Sequence, residues 1–196
     1  MNEIKIKYVI DKIVAFIMII ILSPLFLIIS ISVKLDSPGE VIFKQERIGY
    51  KGKIFKIYKF RTMVSNAEKM GDGLIVKDSS DDRITKVGRV LRRTSLDELP
   101  QLFNIFEGSM SFIGPRPPVI YHPYNGYKSY SKFAKQRFEM KPGITGLAQV
   151  KMRNAASWDE RIKVDVEYVK KFSLVLDLKI LFLTFFSMIN KEEYTA

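Results

Sequence analysis

The 196-residue sequence is 47% hydrophobic, which supplies the core of one domain of usual size and argues against two independent soluble domains. Its 32 Lys and Arg residues against 21 Asp and Glu residues give a net charge of +11, which favours a polyanionic partner: nucleic acid, anionic lipid or a phosphorylated small molecule. The absence of cysteine excludes disulfides and thiolate metal sites, so a cytosolic location is the default.

The first predicted element is an uncharged run of 21 residues at positions 13–33, long enough to cross the hydrocarbon core of a bilayer. It has no small-x-small cleavage site, which argues against a secretory signal peptide. Ser23 and Pro24 stand at its midpoint, where proline breaks a helix and the serine hydroxyl can satisfy a freed carbonyl. Because lysines flank both ends, the positive-inside bias draws both ends to the cytoplasm. The residues fit a kinked spanning helix and a broken re-entrant helix equally well.

Residues 41–63 predict a short β-hairpin, because β-branched and aromatic runs flank a turn at residues 50–53. The polar stretch 71–82 predicts a loop, and its aspartates do not have the register of an EF-hand. A short basic helix over residues 83–94 follows.

The segment 95–106 predicts a helix, since its apolar residues recur at i, i+3, i+4 and i+7. Ser95 and Glu98 have capping-box spacing, and Pro100 is acceptable only near the first turn. Asp97 is the alternative cap. Either start places Asp97 and Glu98 at the N-terminus of the helix, where the helix dipole favours negative charge, so both are predicted to be ionised at neutral pH.

Prolines on both sides of Arg116 restrict its backbone and present its guanidinium to a group such as a phosphate or diphosphate. An ordinary surface arginine on a rigid loop is the alternative. No Walker-type loop, G-x-G-x-x-G motif, nucleophile elbow or H-E-x-x-H site occurs. Phosphate chemistry in this chain would therefore use carboxylates, arginines and a metal.

The C-terminal part predicts two helices. Ser157 and Glu160 form a second capping box, which opens a helix through about residue 172. The apolar stretch 172–190 is interrupted by Asp177 and Lys179 and is too charged to predict a membrane span. Its residues fit an interfacial helix and a core helix equally well.

Seven strings identify a family when taken together: Ser23-Pro24 inside the apolar run, KIFKIYKFRTM (53–63), SLDELPQLFN (95–104), MSFIGPRP (110–117), KPGITGLAQV (141–150), RNAASW (153–158) and LDLKI (176–180). With these strings in this order, the chain resembles over essentially its whole length the bacterial sugar transferases of the polyprenyl-phosphate phosphoglycosyl-1-phosphate transferase family. The resemblance is to the small, single-domain kind that begins glycan assembly.

The resemblance implies a re-entrant membrane helix broken at Ser23-Pro24, which decides between the two membrane alternatives. We expect an α/β fold, mostly α-helical with a short β-hairpin, in a monotopic membrane protein. Residues 1–36 would form the membrane segment. Residues 37–196 would form a catalytic domain that ends in an interfacial amphipathic helix at about 172–190. The expected location is the cytoplasmic (inner) membrane, with the catalytic domain facing the cytoplasm.

The resemblance also implies a reaction. Asp97 would attack the β-phosphorus of a UDP-sugar and expel UMP, and polyprenyl phosphate would then attack the aspartyl phospho-sugar to give polyprenyl-diphospho-sugar. Glu98 would help to hold Mg²⁺. The residues expected to bind substrate are Lys59, Arg61, Arg92, Arg116, Pro117, Arg153 and Asp177.

Two departures from the family pattern stand at Lys141, where arginine is common, and at Met152, where glycine is common. The expected partners are a UDP-sugar, polyprenyl phosphate and the lipid bilayer, and the sequence leaves a homodimer open. The stretch 118–127 matches no pattern of the family and is where the choice of sugar could be read.

Two other functions are compatible with the composition. The first is a membrane-tethered basic protein that binds nucleic acid or lipid without catalysis. Adjacent carboxylates inside a basic region argue against it, so no nucleic-acid partner is expected. The second is a hydrolase that forms the same aspartyl intermediate and uses water as acceptor.

Overall fold

A computed structural model of the chain describes residues 2–67, 70, 81–152 and 156–189. It is mostly helical with two small sheets, which confirms the predicted α/β class. The helices in these ranges are α1 (Asn2–Ile21), α2 (Ser23–Asp36), α3 (Lys86–Thr94), α4 (Gln101–Glu107), α5 (Lys132–Lys135), α6 (Leu147–Lys151), α7 (Trp158–Lys170) and α8 (Leu174–Ile189). The strands are β1 (Ile42–Ile48), β2 (Ile54–Phe60), β3 (Ser111–Ile113) and β4 (Gly143–Thr145).

The helices α1 and α2 are bent by 64° at the residues where the sequence predicted a break. Pro24 stands in the first turn of α2 and has no N–H to donate to the carbonyl of Ile20, four residues earlier. The Ser23 hydroxyl donates to that carbonyl at 2.8 Å. Among the described residues, no single helix is both long and apolar enough to cross a bilayer, whereas α1 and α2 taken together meet both requirements.

The hairpin and the capped helix predicted near the two ends of the globule are both present. Strands β1 and β2 pair antiparallel, from Ile42 opposite Phe60 to Ile48 opposite Ile54, which confirms the predicted hairpin. The Ser157 capping box forms in full and opens α7, which ends at Lys170, two residues before the predicted end. The second sheet, a parallel pair of β3 and β4, was not predicted from the sequence.

A buried asparagine fixes α4 against the free edge of β2. The side-chain amide of Asn104 donates to the carbonyl of Lys56 at 2.8 Å and accepts from the N–H of Tyr58 at 3.0 Å. This side chain therefore completes the edge of a strand, as a neighbouring strand would. It also sets the register between α4 and Lys59, the residue that follows Tyr58.

The bent helix pair shares its core with the rest of the chain. On α2, Ile29 and Val33 are buried with Phe60 and Leu91, and Leu96 and Leu99 pack against the same cluster. On α1, Ala15 is buried with residues of β2 and α4. Side chains of α2 thus help to hold the turn that contains Asp97 and Glu98, and α1 packs against α4, which follows that turn.

The outer faces of α1, α2 and α8 are apolar and exposed. On α1 the exposed residues recur at helical spacing and form one continuous face. Examples from the three helices are Val9, Ile21, Leu27, Leu35, Val175 and Phe182. The opposite side of α8 is buried: Ile180 is 0% exposed and Asp177 is 6% exposed. Each of these helices therefore has one face in the core and one apolar face without cover.

Candidate active site

The two adjacent carboxylates lie in a tight turn between α3 and α4. Ser95 ends α3 in the left-handed conformation (φ 58°, ψ 18°), and its N–H bonds carbonyls of the last turn of α3. Its side chain makes no capping hydrogen bond, because an N-cap serine needs an extended backbone. The predicted capping box at Ser95 is therefore wrong. Asp97 and Glu98 occupy a 3₁₀ turn (Leu96–Glu98), and α4 begins only after Pro100.

Lys59 contacts both carboxylates from the end of β2. Its Nζ lies 2.7 Å from Oε1 of Glu98 and 4.0 Å from Oδ2 of Asp97. Arg116 approaches the same Glu98 oxygen, with Nη2 at 3.8 Å, and 42% of its side chain remains exposed. The structure thus brings together two of the predicted cationic residues at the predicted carboxylate pair, and one of them remains accessible to a ligand.

The pKa values of the two carboxyl groups are shifted in opposite directions. Burial raises the pKa of Asp97 above its ordinary value, and the positive charges of Lys59 and Arg92 only partly oppose this. Burial would also raise the pKa of Glu98. The charges of Lys59 and Arg116, with hydrogen bonds from Lys59 and Gln101, outweigh it and lower that pKa. Asp97 is therefore the more basic carboxylate, and Glu98 is the one held ionised by its partners.

Gln101 is a member of this site that sequence reasoning did not single out. It begins α4, is 2% exposed and hydrogen-bonds to Glu98. Its position inside the SLDELPQLFN string was a signal, but a glutamine in a helix has no distinctive chemistry on its own. The structure gives it one, because a buried amide beside a carboxylate orients that carboxylate.

Two of the residues expected to bind substrate make their contacts elsewhere. The Arg61 guanidinium is buried at the end of α2, where it donates to the carbonyls of Val33 at 3.1 Å and Ser37 at 2.6 Å. Asp177 pairs with Lys7 of α1 at 2.7 Å and accepts a hydrogen bond from Tyr168 at 2.7 Å. In the structure Arg61 binds the end of β2 to the end of α2, and Asp177 binds α8 to α1 and α7.

The remaining predicted residues have different positions. Arg92 lies in the last turn of α3, close enough for its charge to lower the pKa of Asp97. Pro117 follows Arg116, lines a shallow cleft beside it, and accepts a hydrogen bond from Arg47 at its carbonyl. Arg153 lies outside the described residues.

The donor set at this turn fits Mg²⁺ bound together with substrate. In the part of the chain that the structure describes, no group of three or more His, Cys, Asp or Glu side chains could form a metal cage. Mg²⁺ is usually bound through one or two carboxylates, with water and substrate phosphates completing its octahedron. Glu98 supplies a hard oxygen donor of that kind, and Asp97 is left available as a nucleophile.

Comparison with known proteins identifies the family of the chain. The bacterial sugar transferase family profile matches residues 2–191. The UDP-glucose:undecaprenyl-phosphate glucose-1-phosphate transferase of Klebsiella pneumoniae is 44% identical over 190 residues, covering 94% of this chain and 40% of that protein. The galactosyl transferase CpsE of Streptococcus agalactiae is 43% identical over 156 residues, covering 74% of this chain and 34% of its own.

A shorter relative also matches most of the chain. The exopolysaccharide production protein ExoY of Sinorhizobium fredii is 38% identical over 187 residues, which are 89% of this chain and 81% of that protein. The chain spans about 40% of the length of the first two relatives that it matches. It belongs to the bacterial sugar transferase family.

The buried position of Arg61 leads to a prediction about stability. Arg61→Leu should lower the free energy of unfolding by about 3 kcal/mol, because the last carbonyls of α2 lose two hydrogen bonds from a charged donor. Chemical denaturation in detergent measures this. The matched control is Arg89→Leu at an exposed position of α3, which should change stability by no more than about 0.5 kcal/mol. Equal stability of the two variants would contradict the structural role of Arg61.

Proposed function

We propose that the protein transfers a sugar 1-phosphate from a UDP-sugar to polyprenyl phosphate, releases UMP, and so begins the assembly of a glycan. The observation that carries this proposal is the Asp97-Glu98 pair, whose pKa values diverge and which Lys59, Arg92 and Arg116 surround. The names of relatives support UDP-glucose and undecaprenyl phosphate as the first substrates to test. The sequence leaves both the identity of the sugar and a homodimer open.

The reaction has two displacement steps at one phosphorus atom. In the first, a carboxylate oxygen of Asp97 bonds to the β-phosphorus, and the bond from that phosphorus to the bridging oxygen breaks, so that UMP leaves with the electron pair. In the second, an oxygen of polyprenyl phosphate bonds to the same phosphorus and the bond to Asp97 breaks. The carboxylate is regenerated, and the sugar phosphate ends on the lipid.

Asp97 suits the role of nucleophile better than Glu98 does. A raised pKa makes its carboxylate more basic, and its distance of 4.0 Å from Lys59 leaves it without a close ionic bond. Glu98 is held at 2.7 Å by the same lysine. Phosphoryl transfer depends on positioning and on neutralising the charge of equatorial oxygens, and the exposed Arg116 guanidinium supplies a fork of donors for the diphosphate.

Glu98 would help to hold Mg²⁺ in this reaction. When bound, the ion neutralises charge on the diphosphate oxygens. The protein's own contribution is to keep Glu98 ionised through Lys59 and Gln101. The predicted binding roles of Arg61, Pro117, Arg153 and Asp177 stay predictions, and the contacts of Arg61 and Asp177 favour a structural role for those two.

The proposed reaction predicts the behaviour of an Asp97→Asn variant. UMP release from the preferred UDP-sugar should fall by more than about a thousandfold, because the amide is not a nucleophile. EDTA should stop wild-type release, and added Mg²⁺ should restore it. The measurement is UMP formation from a panel of UDP-sugars in detergent, with UDP-glucose first and undecaprenyl phosphate as acceptor.

The exposed Asp82 provides a matched control, and Asp82→Asn should retain wild-type activity. Turnover in the Asp97→Asn variant, or in EDTA, would rule out the mechanism. Omitting the acceptor separates a transferase from a hydrolase, since only a hydrolase would continue to release UMP through many turnovers without polyprenyl phosphate.

We expect the charge of Lys59 to influence the pH below which activity is lost. The nucleophile is the ionised form of Asp97, so activity is lost as the pH falls through its pKa, and a raised pKa places that loss at higher pH. Lys59→Gln removes a charge that lowers this pKa, so the acid limb of kcat/KM should move upward by roughly one pH unit. Lys56→Gln, at an exposed position on the same strand, is the control and should leave the limb in place. A downward shift in Lys59→Gln would contradict this account.

We also propose that α1 and α2 enter the cytoplasmic membrane and return on the same side, while α8 lies along the membrane surface and the catalytic domain faces the cytoplasm. The 64° bend and the exposed apolar faces of these three helices support this path. A spanning helix would instead place the two ends of the pair on opposite sides. The bend makes a straight passage less favourable, because the two axes diverge at the midpoint.

The path can be tested by labelling, because the chain has no cysteine of its own. Single cysteines in place of Lys5, in the first turns of α1, and Glu40, just after α2, should both resist a membrane-impermeant maleimide in spheroplasts and both react once the membrane is opened. Lys128→Cys, in the catalytic domain, is the control and should behave in the same way. Labelling of the cysteine at position 5 alone in intact spheroplasts would show a spanning helix.

A further inference from the structure

The loop that carries Arg116, residues 115–118, is held in place by hydrogen bonds to its main-chain carbonyl groups. Four consecutive carbonyls each accept a hydrogen bond, and the four donors come from three other parts of the chain. The donors are Gly143 N to Pro115 O at 3.2 Å, Arg137 Nη2 to Arg116 O at 2.8 Å, Arg47 Nη1 to Pro117 O at 3.0 Å, and Ile48 N to Pro118 O at 3.0 Å. The backbone of this loop is therefore fixed from several directions, whereas the Arg116 side chain is 42% exposed.

The bond to the Arg116 carbonyl differs from its neighbours because its donor carries a buried charge. Arg137 is 1% exposed and follows α5 in a 3₁₀ turn (Gln136–Glu139). The same Nη2 atom lies 2.5 Å from Oδ2 of Asp165, which α7 holds at 2% exposure. One guanidinium nitrogen thus joins a carboxylate on a capped, 13-residue helix to the backbone of the loop.

Burial of such a pair does not by itself indicate a gain in stability. Removing two charges from water is costly, and apolar side chains of similar size often stabilise a core as well or better. An arginine pair does provide direction, because its planar fork has fixed donor positions. The rings of Phe138 and Trp158 flank the Arg137 guanidinium, with centroids at 5.4 and 5.7 Å, and restrict its plane further.

We propose that Arg137, held by Asp165, is a positioning residue that fixes the Arg116 backbone and thereby places the Arg116 guanidinium beside Glu98. The consequence for activity rests on the proposed function, in which Arg116 binds the diphosphate. Because 42% of the Arg116 side chain is exposed, the position of its main chain determines which groups the guanidinium can reach. A displacement of about 1 Å at such a group can cost as much as a hundredfold in rate.

The first test is a double-mutant cycle between positions 137 and 116. Arg137→Lys keeps a positive charge for Asp165 but replaces the planar fork by a single ammonium group, which weakens the bond to the Arg116 carbonyl. It should lower kcat/KM for UMP release by roughly 10- to 100-fold in the wild-type background. In an Arg116→Ala background the same change should have less than about a twofold effect, because the group that it positions is gone.

Arg83→Lys is the matched control. Arg83 is also buried, and it also bonds a carboxylate, Asp81, and two main-chain carbonyls, those of Ala67 and Met70. None of these partners belongs to the Arg116 loop, so the rate should change by less than about twofold in either background. Equal and additive effects of Arg137→Lys in the two backgrounds would overturn the proposal.

A second readout does not need substrate. Amide hydrogen exchange across residues 114–118 should be faster in Arg137→Lys and unchanged in Arg83→Lys. Unchanged exchange in Arg137→Lys would overturn the positioning role, even if wild-type protein released no UMP from any UDP-sugar, a result that would refute the proposed function separately. If Arg137→Lys does not fold, Arg137→Gln combined with Asp165→Asn removes both charges and leaves neither unpaired. Failure of that pair to fold would show a purely structural role and overturn the proposal.

Discussion

The packing of the bent helix pair against the carboxylate turn is the constraint on which the rest of the structure depends. Leu96 and Leu99, the neighbours of Asp97 and Glu98, are partly buried and pack against residues of α2. The ring of Phe26 contacts both Phe60 at the end of β2 and Phe103 on α4. The strand with Lys59 and the turn with the carboxylates therefore meet on one helix. A core shared in this way links any change in the path of α2 to the position of the candidate nucleophile.

Within that frame, the proposed chemistry divides two roles between adjacent carboxylates. Burial acts to raise the pKa of both groups, but the cationic neighbours lie nearer to Glu98 than to Asp97, so the pKa of Glu98 is lowered while that of Asp97 is raised. Pairs whose environments push their pKa values apart are a recurring way to obtain two functions from one residue type. The helix dipole, which sequence reasoning invoked, has a smaller part than expected because α4 begins at Gln101.

The features that the sequence predicted well are those that depend on near neighbours. The hairpin, the Ser157 cap and the bend at Ser23-Pro24 follow from spacing over a few residues. The cap at Ser95 failed because one serine can serve either the end of α3 or the start of the next helix, and spacing does not choose between them. The placement of Arg61 was not visible for another reason: the residue type indicates affinity for oxygen, but not whether that oxygen belongs to a ligand or to a distant main-chain carbonyl.

The net charge of +11 is ambiguous in the same way, because a cationic side chain can bind either a ligand or another part of the chain. At sequence level every arginine counts toward a polyanionic partner, yet Arg61 and Arg137 are buried and donate to main-chain carbonyls. These two arginines hold parts of the fold together, and Lys7 likewise joins two helices by its ion pair with Asp177. At the carboxylate turn, by contrast, the Arg116 side chain is 42% exposed. Exposure, rather than charge, therefore separates an arginine that can meet a ligand from one that holds the fold, because a buried guanidinium has no access to a ligand from solvent.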